Sequence, residues 1–296
     1  MAISSDLFTG VDFSRLPAPD VLEQLDYASL RDTAMADFLA LMPEFNAVSP
    51  ADPIYKFVEM LAYYCLLIRQ RVNEAARATM LAYAQGADID AIAARYGLER
   101  FELSDGSLES DTDFRARVAA APEAWSVAGP VGAYVQGAKN ASGDVAFASA
   151  ISPAPGEVLV SVQARKADSV SVDGSASAAL IAQVADYLDA EDRRPLTDQL
   201  TVQSAQISPF AVNAQVRLFS GPDPASILAA ARAKLDGWLL RNCRLGRDIT
   251  ADSIHAALTV EGVSKVTLTD WADITCDATQ AGYCTAIAIS HAGVGE

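Results

Sequence analysis

A long helical pattern in the first third of the chain constrains the fold more than any other feature. Between residues 54 and 84, apolar or small side chains recur every three or four residues, as on one face of an α-helix. At about 1.5 Å per residue, such a helix would be roughly 45 Å long. A helix of this length outgrows a small domain, so we expect it to meet a partner. The predicted partner face consists of Ile54, Phe57, Val58, Leu61, Tyr64, Cys65, Ile68, Val72, Ala76 and Met80.

The middle of this helix is apolar over more of its circumference than a surface helix needs. The run LAYYCLLI covers residues 61–68. Burial of one more Leu or Tyr contributes about 1.5–3 kcal/mol, so a partner helix along this face would be stabilising. The alternative is that the run is simply the core of its own domain.

Charge and composition exclude several classes of function. The 296 residues suffice for two or three domains, and the net charge of −16 argues against binding nucleic acid phosphates or an anionic membrane surface. No signal peptide pattern begins the chain, and no apolar run approaches the ~20 residues that cross a bilayer. Four scattered cysteines indicate neither a zinc site nor a disulfide framework, and Cys65 and Cys284 are predicted to be small buried hydrophobes.

The order of patterns along the chain predicts an α+β fold. We expect an elongated multidomain chain, with a long-helix region at the N-terminus and two small α/β modules at the C-terminus. The helical patterns before residue 128 give way to alternating strand patterns, and Ser208–Pro209 reads as a junction. The predicted divisions are an irregular leader at 1–19, a helical region at 20–128, a first α/β module at 129–207 and a second at 208–296. A helix, turn and strand at residues 132–147 resemble those at 252–268, which suggests a duplication.

A search for catalytic groups finds no site. The chain has no G-x-S-x-G, S-x-x-K, P-loop or G-x-G-x-x-G motif, and its two histidines, His255 and His291, have no catalytic context. The paired carboxylates lie at predicted helix ends, where capping and solvation account for them. We therefore predict no catalytic, cofactor-binding or metal-binding residues, no cofactor, and no enzyme activity. Recognition of other proteins is left as the main class of function.

Several segments, taken in order, resemble the baseplate J family of contractile phage tails, P2-like phages in particular, and the related R-type tailocins (pyocins). The resemblance runs from about Leu16 to the C-terminus. The segments are LPAPDVLEQLDYASL (16–30), RQRVNEAARATMLAYAQGADIDAIAARYGLER (69–100), APEAWSVAGPVGAY (121–134), ISPAPGEVLVSV (151–162), EDRRPLTDQLTVQ (191–203), LGRDI (245–249), LTVEGVSKVTL (258–268) and QAGYCTAIAIS (280–290).

The resemblance implies a structural role in the baseplate of a virion or tailocin, with the chain soluble in the bacterial cytoplasm before assembly. Members form wedges in which two copies, in different conformations, join one I-type tail protein. Their long helices enter a bundle with that partner, and their last module, roughly residues 211–289 here, ties wedges into a ring around the hub. Further implied partners are a small lysozyme-like wedge protein and sheath and hub components, with no nucleic acid or membrane.

Two copies in different settings would need hinges, for which Gly86, Gly97, Gly129 and Gly132 are candidates. Two other functions stay open from the residues alone. One is a tail-associated hydrolase that uses surface carboxylates, and the other is a receptor-binding module. The source of the chain, an infectious phage or a defective bacteriocin, also stays open.

Overall fold

The computed structural model describes residues 19–45, 49–126, 128–165, 173–221 and 223–295. Contacts divide the chain into two compact units, the first ending at Glu99 and the second beginning at Arg100. The predicted leader at 1–19 lies almost wholly outside the described residues. The first unit contains α1 (Tyr27–Leu41), α2 (Pro53–Ala78), α3 (Ala87–Ala93) and a 3-10 turn (Ala94–Tyr96).

Helices α1 and α2 pack against each other, and a clamp fixes the segment that precedes α1. Asp26 caps α1 by accepting a hydrogen bond from the Ser29 amide at 2.8 Å. Further back, the Asn73 side chain is 3% exposed and bonds both backbone groups of Glu23. Its Oδ1 accepts from the Glu23 N–H at 3.0 Å, and its Nδ2 donates to the Glu23 carbonyl at 2.8 Å. The amide therefore replaces water for two backbone groups of a segment that is neither helix nor strand.

The long helix is shorter than predicted, because α2 ends at Ala78 rather than near residue 84. The Thr79 hydroxyl donates to the Ala76 carbonyl at 2.8 Å, and the Thr79 and Met80 amides bond three residues back, which tightens the last turn. Gly86, predicted to end α2, instead precedes α3 with φ of 51°. Gly97 closes the next turn in the left-handed region, as predicted.

The second unit contains the remaining five helices and both sheets among the described residues. Its helices are α4 (Asp111–Ala119), α5 (Val131–Ala141), α6 (Ala178–Leu188), α7 (Pro224–Asn242) and α8 (Ala251–Leu258), with a 3-10 helix at Ala121–Trp125. Its strands are β1 (Val145–Ile151), β2 (Glu157–Ala164), β3 (Gln199–Ser204), β4 (Gln206–Leu218), β5 (Val263–Leu268) and β6 (Gln280–Val294).

Residues 101–110, which the polar and acidic sequence predicts to be a linker or exposed loop, are mostly exposed, and we call this segment the strap. Glu109 is 4% exposed and Arg117 on α4 is 5% exposed. The Arg117 Nε donates to one Glu109 carboxylate oxygen at 3.1 Å and a terminal nitrogen donates to the other at 2.6 Å. The guanidinium carbon lies 4.2 Å from the ring centre of Phe101. Charge pairing and ring contact tie the exposed strap to α4 through Glu109, its one buried residue, a contact that its composition does not reveal.

Each sheet has three strands and packs its helices on one face. In the first, β2 is central, antiparallel to β1 and parallel to β3. In the second, β4 is central, antiparallel to β5 and parallel to β6. In both sheets the antiparallel edge strand follows directly after a short helix, α5 before β1 and α8 before β5. The similarity between residues 132–147 and 252–268 therefore marks equivalent parts of the two sheets.

A single residue, Ala205, separates β3 from β4, and Ser208–Pro209, which reads as a junction in the sequence, lies inside β4. Strand β4 continues through Pro209, which pairs in register with Tyr283 of β6. Side chains from the first sheet then reach the second module. The Ser149 hydroxyl bonds the Ala278 carbonyl, and the Gln163 amide donates to the Cys243 carbonyl at 3.1 Å. The prediction of an α+β chain with two small α/β modules is confirmed.

Candidate interaction surface

Helix α2 uses a narrow stripe for contacts within the first unit. Val58, Ala62 and Asn73 are its buried residues, and they lie close together around the helix axis. The Tyr27 hydroxyl, at the start of α1, donates to the Glu59 carbonyl on α2 at 3.3 Å. Because the buried side chains are few and two of them are small, most of the apolar surface of α2 lies elsewhere.

The rest of that apolar surface is exposed. Large apolar side chains between 44% and 65% exposed cover the middle of the helix, and they are Phe57, Met60, Leu61, Tyr63, Tyr64, Leu67, Ile68 and Val72. Contiguous apolar surface of this kind marks an interaction site in a soluble protein. At 100° per residue, these side chains and Cys65 span an arc of about 200° around the axis. A surface helix normally buries a stripe of roughly 100°.

The predicted partner face coincides with one flank of this arc. Phe57, Leu61, Tyr64, Cys65, Ile68 and Val72 are exposed, whereas Ile54, Ala76 and Met80 are half-buried. Val58 is 3% exposed and packs within the first unit, so it is not available to a partner. The prediction that Cys65 is buried is wrong, and Cys284 is only half-buried. The helix presents Cys65 beside Leu61 and Ile68, outside the stripe that α1 covers.

Sequence reasoning missed the second flank of the arc. Met60, Tyr63 and Leu67 lie on the side of α2 away from the predicted face, and all three are exposed. A search for apolar residues on one helix face leaves out large apolar residues that fall outside that face. The signal was present in the run of eight residues from 61 to 68, which is apolar around the whole helix.

The four candidate hinge glycines occupy different environments. Gly86 and Gly97 have φ of 51° and 67°, and a Cβ at either would meet nothing within 4 Å. Gly129 has φ of 75° and is crowded, because a Cβ there would lie 2.9 Å from an Asp198 carboxylate oxygen. Gly132 is buried inside the first turn of α5.

Two carboxylates at the start of α4 are held in ion pairs. Asp111 and Asp113, which begin α4, pair with Arg100 at 2.8 Å and with Arg165 at 2.7 Å. Ser110, rather than an aspartate, caps this helix. Within the part of the chain that the structure describes, no group of three or more His, Cys, Asp or Glu side chains could hold a metal ion. No helix in that part is long and apolar enough to span a membrane.

A small cavity lies between α5 and α6. Its volume is about 60 Å³, and small residues of α5 such as Ala133 and Gly137 line it. That is far below the roughly 300–1,000 Å³ of typical ligand pockets. Nearby, the buried Tyr134 hydroxyl donates to Asp198 at 2.7 Å. Burial, with this hydrogen bond second, raises the pKa of Tyr134 above its ordinary value. The bond fixes the residue before β3 to α5.

Comparison with known proteins agrees with the ordered segments noted in the sequence. Family models match residues 51–106 as a baseplate J-like N-terminal domain, 126–204 as a baseplate J-like central domain and 210–290 as a baseplate J-like C-terminal domain. Baseplate protein J of Escherichia phage P2 is 42% identical over 304 residues, covering 97% of this chain and 99% of the relative. The chain belongs to the baseplate J family.

Membership of the baseplate J family makes the chain a structural component of a contractile tail baseplate, and the predicted family is confirmed. The exposed helix α2 lies within the matched N-terminal domain. Among solved structures, a chain in the baseplate of the anti-feeding prophage (AFP) matches with a TM-score of 0.32 and 13% identity. That match covers 53% of this chain and 36% of the other chain.

Proposed function

We propose that this chain is a wedge protein of the baseplate, with no enzymatic role and no cofactor. Two copies join one I-type wedge protein through a helical bundle that contains α2. The last module then links neighbouring wedges into a ring around the hub. The small lysozyme-like wedge protein and the sheath and hub components are its other neighbours in the virion or tailocin. Before assembly the chain is a soluble cytoplasmic protein that binds neither nucleic acid nor membrane.

The apolar arc of α2 is the observation that carries this proposal. One partner helix covers a stripe of roughly 100°, and the exposed arc is about twice as wide. Covering it needs two further helices, one on the flank of Leu61 and Ile68 and one on the flank of Met60 and Leu67. A second copy of α2 and one helix of an I-type chain supply that number. Each large side chain buried in this way contributes about 1.5–3 kcal/mol.

The two copies need different conformations, and the glycines give the chain places to bend. We propose that Gly86 and Gly97 are the main hinges, since their left-handed backbone lies in open surroundings. Gly129 lies just before α5 and Gly132 lies in its first turn, and we propose them as the other two hinges. The proposed division remains a leader at 1–19, a helical region at 20–128 and modules at 129–207 and 208–296. The three separate family matches, beginning at residues 51, 126 and 210, support a division of this kind.

Co-expression with an I-type protein, followed by native mass spectrometry, tests the assembly. The unchanged chain should give a 2:1 complex. The variants Leu61→Asp/Ile68→Asp and Met60→Asp/Leu67→Asp place charge on opposite flanks of the arc, so each should remove a different neighbour. Arg77→Asp, exposed near the end of α2 and outside the arc, is the matched control and should leave the complex intact.

Three results contradict the proposal in different ways. A free monomer from the unchanged chain rules out the wedge assembly. Retention of the 2:1 complex by both flank variants shows that the arc is not the interface. Loss of the same single partner from both variants shows one broad contact instead of two neighbours.

A further inference from the structure

The outer edge of β6 has no strand beside it among the described residues. β6 pairs on one side with β4, and no bridge to any other segment is formed along it. An exposed edge is a template for pairing with another chain unless bulges, prolines or charges protect it. The protection of β6 is confined to its ends, which leaves a regular segment between them.

Two bulges mark the limits of that segment. Phe210 and Ala211 pair with Cys284 and Ala286, so Thr285 is an extra residue on β6. A second irregularity follows His291. Between them, Ala286 to His291 pair one-to-one with Ala211 to Val216. The regular segment is therefore residues 286–291, six residues long, and we call it the open edge.

The backbone groups of the open edge that point away from β4 can be assigned. Arg232 on α7 donates to the Ile287 carbonyl at 3.5 Å, a long bond, while its Nε bonds Asp236 at 3.0 Å. Ile287 therefore directs its backbone groups outward, as does Ile289 two residues on. Their side chains pack in the core, whereas Ala288 and its neighbours on the other face are small and exposed. A strand added at this edge meets outward-directed backbone groups, and the exposed side chains beside them on the face away from the core are small.

The distribution of charge on the chain favours a second copy of the chain as the partner of this edge. Residues 280–294 contain no Asp, Glu, Lys or Arg in a chain with a net charge of −16. Two copies of so acidic a chain repel each other at most surfaces, and contact requires a region without carboxylates. When β6 pairs with β6 of a second copy, no two like charges face each other, because the strand carries no charged side chain. A closed pair of identical strands about a two-fold axis normal to the sheet is antiparallel.

We propose that the open edge of β6 pairs antiparallel with β6 of a second copy, joining two three-stranded sheets into one of six strands. The two-fold axis passes through Ala288 or Ile289, since these two residue-centred registers each pair five of the six residues of the open edge. On pairing, the long hydrogen bond from Arg232 to the Ile287 carbonyl is replaced by backbone hydrogen bonds between the two β6 strands. The inference deepens the proposed ring contact by naming its surface, and it does not depend on α2.

Disulfide cross-linking of the full chain tests the pairing and its register. The background variant carries Cys65→Ser and Cys284→Ser, and Leu61→Asp/Ile68→Asp to remove association through α2. At Ala288 the axis would bring two Cα atoms to about 4.5 Å, within the range of disulfides. Ala288→Cys should then link into dimers under mild oxidation. If the axis passes through Ile289, the double variant Ala288→Cys/Ser290→Cys should link instead.

Ala211→Cys is the matched control, since Ala211 is exposed beside Ala286 but on the central strand. It lies three strand spacings, or about 14 Å, from its copy across the axis and should cross-link at least tenfold more slowly. Ala288→Lys should weaken dimerisation at least tenfold, whereas Ala211→Lys should not. Absence of cross-linked dimers from both edge variants overturns the proposal, as does equal cross-linking by Ala211→Cys. Because α2 is disabled throughout, failure here is distinct from failure of the wedge assembly.

Discussion

Removal of Glu109 should loosen the strap at 101–110 by an amount that the structure allows us to estimate. Glu109 and Arg117 are both at least 95% buried and joined by two hydrogen bonds, at 3.1 and 2.6 Å. Loss of one partner from a buried pair typically costs about 3–5 kcal/mol, since Arg117 stays buried but loses both hydrogen bonds to the carboxylate. Glu109→Ala also removes the carboxylate oxygen that accepts from the Phe101 amide at 3.3 Å.

Replacing both partners should cost much less than replacing one. Glu109→Leu/Arg117→Met removes both charges of the buried pair together, and buried ion pairs replaced by apolar residues of similar volume are often neutral. We expect the double variant to lie within about 2 kcal/mol of the unchanged chain.

Hydrogen exchange read by mass spectrometry is the suitable assay, because a chain of several domains does not unfold in two states. Amides of residues 101–119 should exchange at least ~150-fold faster in Glu109→Ala, which corresponds to 3 kcal/mol at 1.36 kcal/mol per factor of ten. Peptides from β4 and α7 serve as the internal control. The expected cost of leaving Arg117 without its carboxylate partner would be refuted by either of two results. One is a less than tenfold change in the exchange rate in Glu109→Ala, and the other is exchange as fast in the double variant as in the single one.

Three further predictions concern local contacts. Asn73→Ala should expose the segment before α1 to protease, since both backbone groups of Glu23 lose their partner, whereas Gln70→Ala should not. The raised pKa of Tyr134 stabilises the fold below the ordinary value of 10.0, and this contribution is lost as pH rises above it. Tyr134→Phe should therefore flatten the fall in melting temperature between about pH 9 and 11. Gly129→Ala should lower the melting temperature, because a Cβ there meets a carboxylate and a proline ring, while Gly97→Ala costs only the ~1 kcal/mol of left-handed backbone.

Periodicity predicted the elements well where one face dominates. The start of α2 at Pro53 agrees with the pattern to within a residue. Hydrophobic periodicity failed where polar contacts between a few residues determine the structure. Thr79 ends α2 through its own hydroxyl, and no apolar pattern carries that information. The strap around Glu109 is acidic in sequence, and only the fold brings Arg117 to it. The one-residue junction at Ala205 was also missed, because Pro209 reads as a break although it lies within a strand.

The candidate surface was half predictable for a related reason. A template of one helix face recovers Leu61 and Ile68 but rejects Met60 and Leu67, which become meaningful only when the contacts of α1 are known. The open edge of β6 is not visible in sequence at all. Its limits depend on bulges that arise from pairing with β4.

The single residue between β3 and β4 has a mechanical consequence. Ala205 is itself tied by its amide to the Val162 carbonyl at 2.8 Å, and the next amide, of Gln206, bonds the Thr279 carbonyl at 2.9 Å. Because a single residue connects the two sheets, tension applied to the last module passes along β4 into β3. The parallel ladders on both strands then carry the load in shear, all bonds together, instead of opening one at a time. We expect optical-tweezers extension from residues 130 and 290 to show one high-force event, and lengthening the junction with a Gly-Ser insert should split it into two.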